Sequence, residues 1–181
     1  MPVAAVRLNH AVLFVTDIER AVAFWAGDFG MEVVASEGGG RAVFLRLPRS
    51  GNHHDLGLFA LGPGAPARPA GSPGLYHLAW QVDTIDELAQ ARETLRACGA
   101  LVGESSHGAT KSLYAKDPDG NELEVMWMVP KDAWGEYENA APTSRLDLDA
   151  ELRRWSGVPT AGQLVVDGPV PAVVPPVPAA S

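Results

Sequence analysis

Apolar positions along this chain change period several times, and the order of the changes repeats. An apolar strand runs from Leu8 to Val15, after which Thr16-Asp17 offers cap oxygens to a helix of apolar period that ends near Gly30. A second strand runs from Leu75 to Val82 and leads into a helix from about Thr84 to Cys98, closed by Gly99. Each helix is followed by three strand-like runs, at 31–36, 41–47 and 55–61 in the first half and at 101–105, 111–115 and 122–129 in the second. Turn clusters such as Gly38-Gly39-Gly40 and Asp117-Pro118-Asp119-Gly120 part them. Shifting the first half by 67 positions lays Leu8 on Leu75, His10 on His77, Val15 on Val82 and Ile18 on Ile85. The internal repeat predicts an α+β fold of two βαβββ modules, with paired mixed sheets around one cleft.

The same pattern sets the organisation. Residues 1–130 are expected to form one domain, with module one at 6–61, a linker rich in Pro, Gly and Ala at 62–74, and module two at 75–129. Residues 131–181 form an extension: a short helix over 146–155, then a Pro- and Val-rich end from 168 that is expected to be extended or mobile. Packing or disorder is the plain reading of this extension, and covering an edge or a neighbouring subunit is the other.

Composition then removes several function classes. The 181 residues are 46% hydrophobic, enough to bury one core. A net charge of -8 with no cluster of lysines and arginines makes nucleic acid and anionic membrane poor partners. No apolar run approaches the ~20 residues that cross a bilayer, and no secretory signal pattern opens the chain. Cys98 is the only cysteine, so no intrachain disulfide forms, and a reducing cytoplasmic location is expected.

Candidate chemistry sits on the repeat. By strand alternation His10 shares a face with Leu8 and Val12, His77 with Leu75 and Ala79, and Glu124 with Met126 and Met128. Either histidine alone reads as a hydrogen-bonded core residue, and Glu124 alone as a solvent-facing strand residue. Core packing gives no reason for two histidines at equivalent points of a repeat, whereas a pseudo-twofold axis would bring both to one cleft. Two histidines and a carboxylate are the facial donor set of non-haem Fe(II) sites, and Mn(II) accepts the same set. The position 67 residues before Glu124 is Gly57, so the fourth symmetric position carries no ligand. Three protein ligands leave room for substrate and dioxygen.

The run from His107 through Tyr114, Asp117-Pro118-Asp119-Gly120 and Glu124 resembles the signature of type I extradiol ring-cleavage dioxygenases. More broadly, the stretch from about Val6 to Val129 resembles the vicinal oxygen chelate superfamily, which also holds glyoxalases and fosfomycin resistance proteins. Ser105 departs from the dioxygenase signature without touching a functional group. The resemblance implies metal ligands His10, His77 and Glu124, with Tyr114 as hydrogen-bond partner of an ionised substrate oxygen and His107 orienting substrate or Tyr114. It extends to Asn52-His53-His54-Asp55-Leu56 and assigns the acid/base role to His54, with His53 facing the other way by alternation. By itself the adjacent pair reads as a solvated loop feature, and which of the two acts is left open. The implied partners are a catechol-type substrate and dioxygen, and relatives of this size imply a homodimer or larger assembly. Trp80 and Trp127 suit an aromatic substrate by type, but read first as core.

Two rivals follow from the same resemblance. A metal-dependent isomerase of glyoxalase type places a fourth ligand near 56–58, absent here, and a thiol transferase of fosfomycin type needs a cationic pocket, for which Arg and Lys are sparse. A non-enzymatic binding protein dispenses with the metal ligands.

Overall fold

A computed structural model describes residues 7–69 and 71–162. Module one runs β1 (Ala11–Val15), α1 (Ile18–Val22), β2 (Glu32–Glu37), β3 (Ala42–Arg46) and β4 (Leu56–Ala60). Module two runs β5 (His77–Gln81), α2 (Ile85–Ala97), β6 (Leu101–Ser106), β7 (Thr110–Lys116) and β8 (Glu122–Met128). The expected elements are present, with ends moved by one to three residues. Both helices start on the caps read from sequence: Asp17 accepts from the Arg20 N–H and Thr84 from the Glu87 N–H. The first helix departs from expectation in one respect. After Val22 it widens into a π-helical turn over Ala23–Asp28, which points both Phe24 and Trp25 into the core.

Each module makes a mixed sheet, in order β1-β4-β3-β2 and β5-β8-β7-β6. The 67-residue shift holds in the pairing register itself: Ala11 stands beside Leu56 as Leu78 stands beside Leu123, and Val12 beside Gly57 as Ala79 beside Glu124. A bulge interrupts each outer pair at the same place, between Val33 and Ala35 and between Leu101 and Gly103.

One face of each sheet is buried. Leu13, Val15, Leu45, Leu56 and Leu58 join Trp25, Ile85, Leu88, Leu113, Leu123 and Trp127 in a single core under the helices. Along β1 the alternate residues Val12 and Phe14 remain 49% and 65% exposed, so the opposite face of that sheet is largely bare. Trp127 is fully buried, and Trp80 packs against Trp25 and Phe29 at ring separations of 5.9 and 5.7 Å, so both are core side chains rather than a substrate surface.

The extension is tied to module two. After short 3₁₀ turns at Lys131–Ala133 and Gly135–Asn139, β9 (Ser144–Arg145) adds to the edge of β6. α3 (Leu148–Trp155) then buries Leu148 and lays Trp155 against Trp127. Covering this edge removes a row of open backbone groups. The Pro- and Val-rich end from 168 lies outside the described residues, within which no helix is long and apolar enough to cross a membrane.

Candidate metal centre

Strand pairing in module two sets two of the expected ligands side by side. Glu124 lies in the middle of β8, flanked by Ala79 on β5 and Tyr114 on β7. The small Ala79 leaves the space above it open, and His77, two residues earlier on the same face, brings its Nε2 to 3.1 Å from Glu124 Oε2. Two donors bound at about 2.1 Å to one ion at right angles stand about 3 Å apart, so this spacing fits neighbouring positions on a divalent metal. His77 Nδ1 is buried without a hydrogen-bond partner, and Glu124 is only 9% exposed. A half-buried imidazole and a buried carboxylate with no cationic side chain bonded to either are a donor set suited to an ion.

Tyr114 completes this half. Its ring lies 5.7 Å from that of His77, and its hydroxyl is 2.8 Å from His107 Nε2. His107 Nδ1 is 2.9 Å from the Pro142 carbonyl, which can only accept, so Nδ1 carries the proton. In the neutral ring Nε2 is then an acceptor, and Tyr114 donates to it. Burial, and after it the charge of Glu124, push the Tyr114 hydroxyl above the usual phenol range, which keeps this proton in place.

Module one carries the other half. His10 precedes β1 rather than lying within it, and Asn9 Oδ1 accepts from its Nδ1 at 2.8 Å. That bond leaves Nε2 free as a lone-pair donor, the arrangement common in metal-binding histidines. Asn52 holds the neighbourhood together: its amide donates to the carbonyls of Asn9 and His54, each at 2.8 Å. His54 lies 4.5 Å from the His10 ring and 5.2 Å from Phe44, while His53 is exposed and meets His54 only through their Nδ1 atoms, 3.0 Å apart. Desolvation, then the neighbouring His10 and His53, hold the His54 imidazole below its ordinary pKa, which favours the neutral ring. Phe44 stands opposite Gly57 as Tyr114 stands opposite Glu124, so module one has an apolar ring and a glycine where module two has the phenol and the carboxylate.

Among the described residues no three His, Cys, Asp or Glu side chains gather into a group able to hold a metal. Within the chain His77 pairs with Glu124, and His10 lies beside His54. Several contacts dock the two modules. Trp25 and Phe29 of module one pack on Trp80, Asp119 accepts from the Thr16 N–H at 3.1 Å and pairs with Arg20 at 3.2 Å, and Arg49 bridges to Glu87 at 2.8 Å. These contacts join module one to module two. Asn52 and Pro142 were not singled out from the sequence. The position of Asn52, just before the His-His pair at a strand entrance, is a usable signal, whereas nothing marks a backbone carbonyl 35 residues after His107.

Residues 7–125 match the family model described as the glyoxalase/bleomycin resistance protein/dioxygenase superfamily. The chain is 27% identical over 158 residues to a catechol-2,3-dioxygenase of Bacillus subtilis, a match spanning 80% of this chain and 50% of that protein. It is 33% identical over 136 residues to an ethylmalonyl-CoA/methylmalonyl-CoA epimerase of Cereibacter sphaeroides, spanning 66% of this chain and 96% of the epimerase. The fold is shared with a glyoxalase/dioxygenase of Nostoc punctiforme, at a TM-score of 0.59, 17% identity, and coverage of 68% of this chain and 91% of that one. The chain thus spans about half the length of the Bacillus dioxygenase it matches. Repeat, sheet order and family model agree, and the chain belongs to the glyoxalase/bleomycin resistance protein/dioxygenase superfamily, with the vicinal oxygen chelate fold.

Proposed function

We propose that the protein is an Fe(II)-dependent extradiol dioxygenase that opens a catechol-type ring, with His10, His77 and Glu124 as the metal ligands. The observation that carries this reading is the cluster in module two: a His77–Glu124 donor pair with a phenol beside it whose proton is directed to a fixed imidazole. An isomerase has no evident use for that Tyr114–His107 pair. Gly57, standing where symmetry would put a fourth ligand, supports an ion with positions left for substrate and dioxygen.

Bound there, iron would supply Lewis acidity towards the catechol oxygens and a redox centre for dioxygen; Mn(II) accepts the same donors. The protein's own groups handle the protons. While the Tyr114 proton faces His107, the phenol oxygen offers lone pairs to a substrate hydroxyl. When the substrate hydroxyl gives its proton to the phenol oxygen and the Tyr114 proton passes to His107 Nε2, the same hydroxyl turns donor towards the ionised substrate oxygen. His54, held towards its neutral form, accepts the proton of the second hydroxyl and returns one later to the oxygen that leaves; positioned transfer of this kind contributes about 10²–10⁴ in rate. Phe44 and the bare apolar face around it suit an aromatic ring.

The test is anaerobic loading with Fe(II), then air and a panel of catechols. A yellow ring-opened product supports the reading. Turnover of an acyl-CoA epimer or a glutathione hemithioacetal, with none of any catechol, overturns it.

A further inference from the structure

We propose that a cavity between the extension and module two binds a phosphate group, either the free ion or one carried on a small organic molecule. The cavity measures about 300 Å³ and lies where β9 and α3 cover β6 and β7. It is separate from the metal ligands, since His10, His77 and Glu124 are not among its walls.

Charge carries the first part of the case. Lys111, Arg145, Asp147, Glu151 and Arg154 all line the cavity, and both carboxylates are already engaged. Glu151 Oε1 takes Lys111 Nζ at 2.9 Å, and Asp147 Oδ1 accepts from the Ala150 N–H at 3.0 Å as the cap of α3. Arg145 and Arg154 have no carboxylate within ion-pair distance among the described residues, and Arg154 lies over the Trp155 ring at 4.6 Å. In a chain of net charge -8, two unopposed guanidinium groups on one small cavity make a local positive field suited to an anion.

Hydrogen bonding carries the second part. Lys111 is only 7% exposed, and its ammonium gives protons to Ser106 Oγ at 2.9 Å and to Glu151. Its third proton has no acceptor among the described residues. Ser106 Oγ accepts from Lys111, so its own proton is left to donate, and it too finds no acceptor there. Buried donors without acceptors cost free energy until an acceptor arrives.

A tetrahedral oxyanion answers both parts. Its oxygens can accept from two guanidinium forks, an ammonium and a hydroxyl together, whereas a cation would be repelled and a neutral group would leave the charges unpaired. The cavity is larger than a bare phosphate, and the Tyr137 and Trp155 rings wall the remaining space, which leaves room for a short carbon chain. Ser106 and Lys111 belong to module two, while Arg145 and Arg154 belong to the extension. A ligand held by all four would fasten one to the other, so its binding is read as stability.

The experiment titrates the full-length protein with inorganic phosphate and, separately, with glycerol phosphate, by calorimetry and by thermal unfolding, against sodium chloride at equal ionic strength. Wild type should bind one equivalent of at least one of them, with Tm raised by about 3–6 °C at ten times Kd. Tighter binding of the ester assigns the site to an organic phosphate, and tighter binding of the free ion assigns it to the ion. Arg145→Gln combined with Arg154→Gln should weaken binding by about tenfold or more and abolish the rise in Tm. Arg145 is exposed, so Arg145→Gln alone gives the same reading, at about threefold, where the double variant does not fold. No binding of either ligand by wild type, an affinity unchanged in the variants, or a rise in Tm that chloride matches would each overturn the site.

Discussion

The Tyr114 hydroxyl lies 2.8 Å from His107 Nε2, and the Pro142 carbonyl decides which of the two is the donor. The extension beyond the repeated modules thereby fixes the protonation of a residue inside them. Tyr114→Phe removes the hydroxyl and keeps the ring, so catechol turnover should fall by about 10²-fold with metal content unchanged. His107→Gln should lose about 10–100-fold by the same measurement, because it acts through Tyr114. Unchanged turnover in Tyr114→Phe would remove the phenol from the chemistry.

His54 stands beside His10 but coordinates nothing in the proposed scheme. His54→Ala should therefore retain iron on elemental analysis while losing about 10²–10⁴-fold in ring cleavage. His53→Ala should be nearly silent in both, since its ring is exposed and meets only His54. Near-wild-type turnover in His54→Ala would shift the acid/base role elsewhere, with His107 next in order.

Docking of the modules has a pH signature. The Arg49 hydrogen bond holds the Glu87 carboxyl below its ordinary pKa, against the opposing effect of burial. A carboxylate lowered in the folded state stabilises above its ordinary pKa, and that contribution fades as pH falls through the lowered value. The pair is partly exposed, so Arg49→Met should cost about 0.2–1 kcal/mol at pH 7. In a chain of this size that is roughly 1–3 °C in Tm. The gap from wild type should narrow as pH falls through the lowered Glu87 value, below the ordinary Glu range. A gap that persists in acid would mean that packing, not charge, accounts for it.

Gly108 is fixed by the extension. Its φ is +76°, and a Cβ there would stand 2.4 Å from the Tyr137 ring. Gly108→Ala combines left-handed strain with overpacking and should cost about 2–4 kcal/mol. A Tm fall on the order of 10 °C in thermal unfolding is expected. Because the neighbouring His107 depends on Pro142, turnover at 25 °C should fall as well. Gly108→Ala with Tyr137→Ala should recover much of the stability, since the double variant removes the ring that clashes.

The repeat was legible because it is local: the 67-residue shift carries through to strand register, and it pointed to His10, His77, Glu124 and the glycine at position 57. The helix caps at Asp17 and Thr84 and the turn glycines were legible for the same reason. Contacts between distant residues were not. The π-helical turn answers to burial of Phe24 and Trp25, which propensity does not encode. The two-residue strand Ser144–Arg145 is set by the open edge of β6, not by its own sequence. Above all, whether two modules face one another or stand apart depends on Trp25, Trp80, Thr16 and Asp119 meeting across the chain.

The central claim is that Glu124, with the two histidines, holds one catalytic ion per chain. Iron stoichiometry after anaerobic loading and desalting, compared between wild type and Glu124→Ala, tests it most directly. The account predicts about one equivalent in wild type and, once a carboxylate ligand is lost, less than about a tenth in the variant. Equal loading of the two proteins, or none in either, would contradict it.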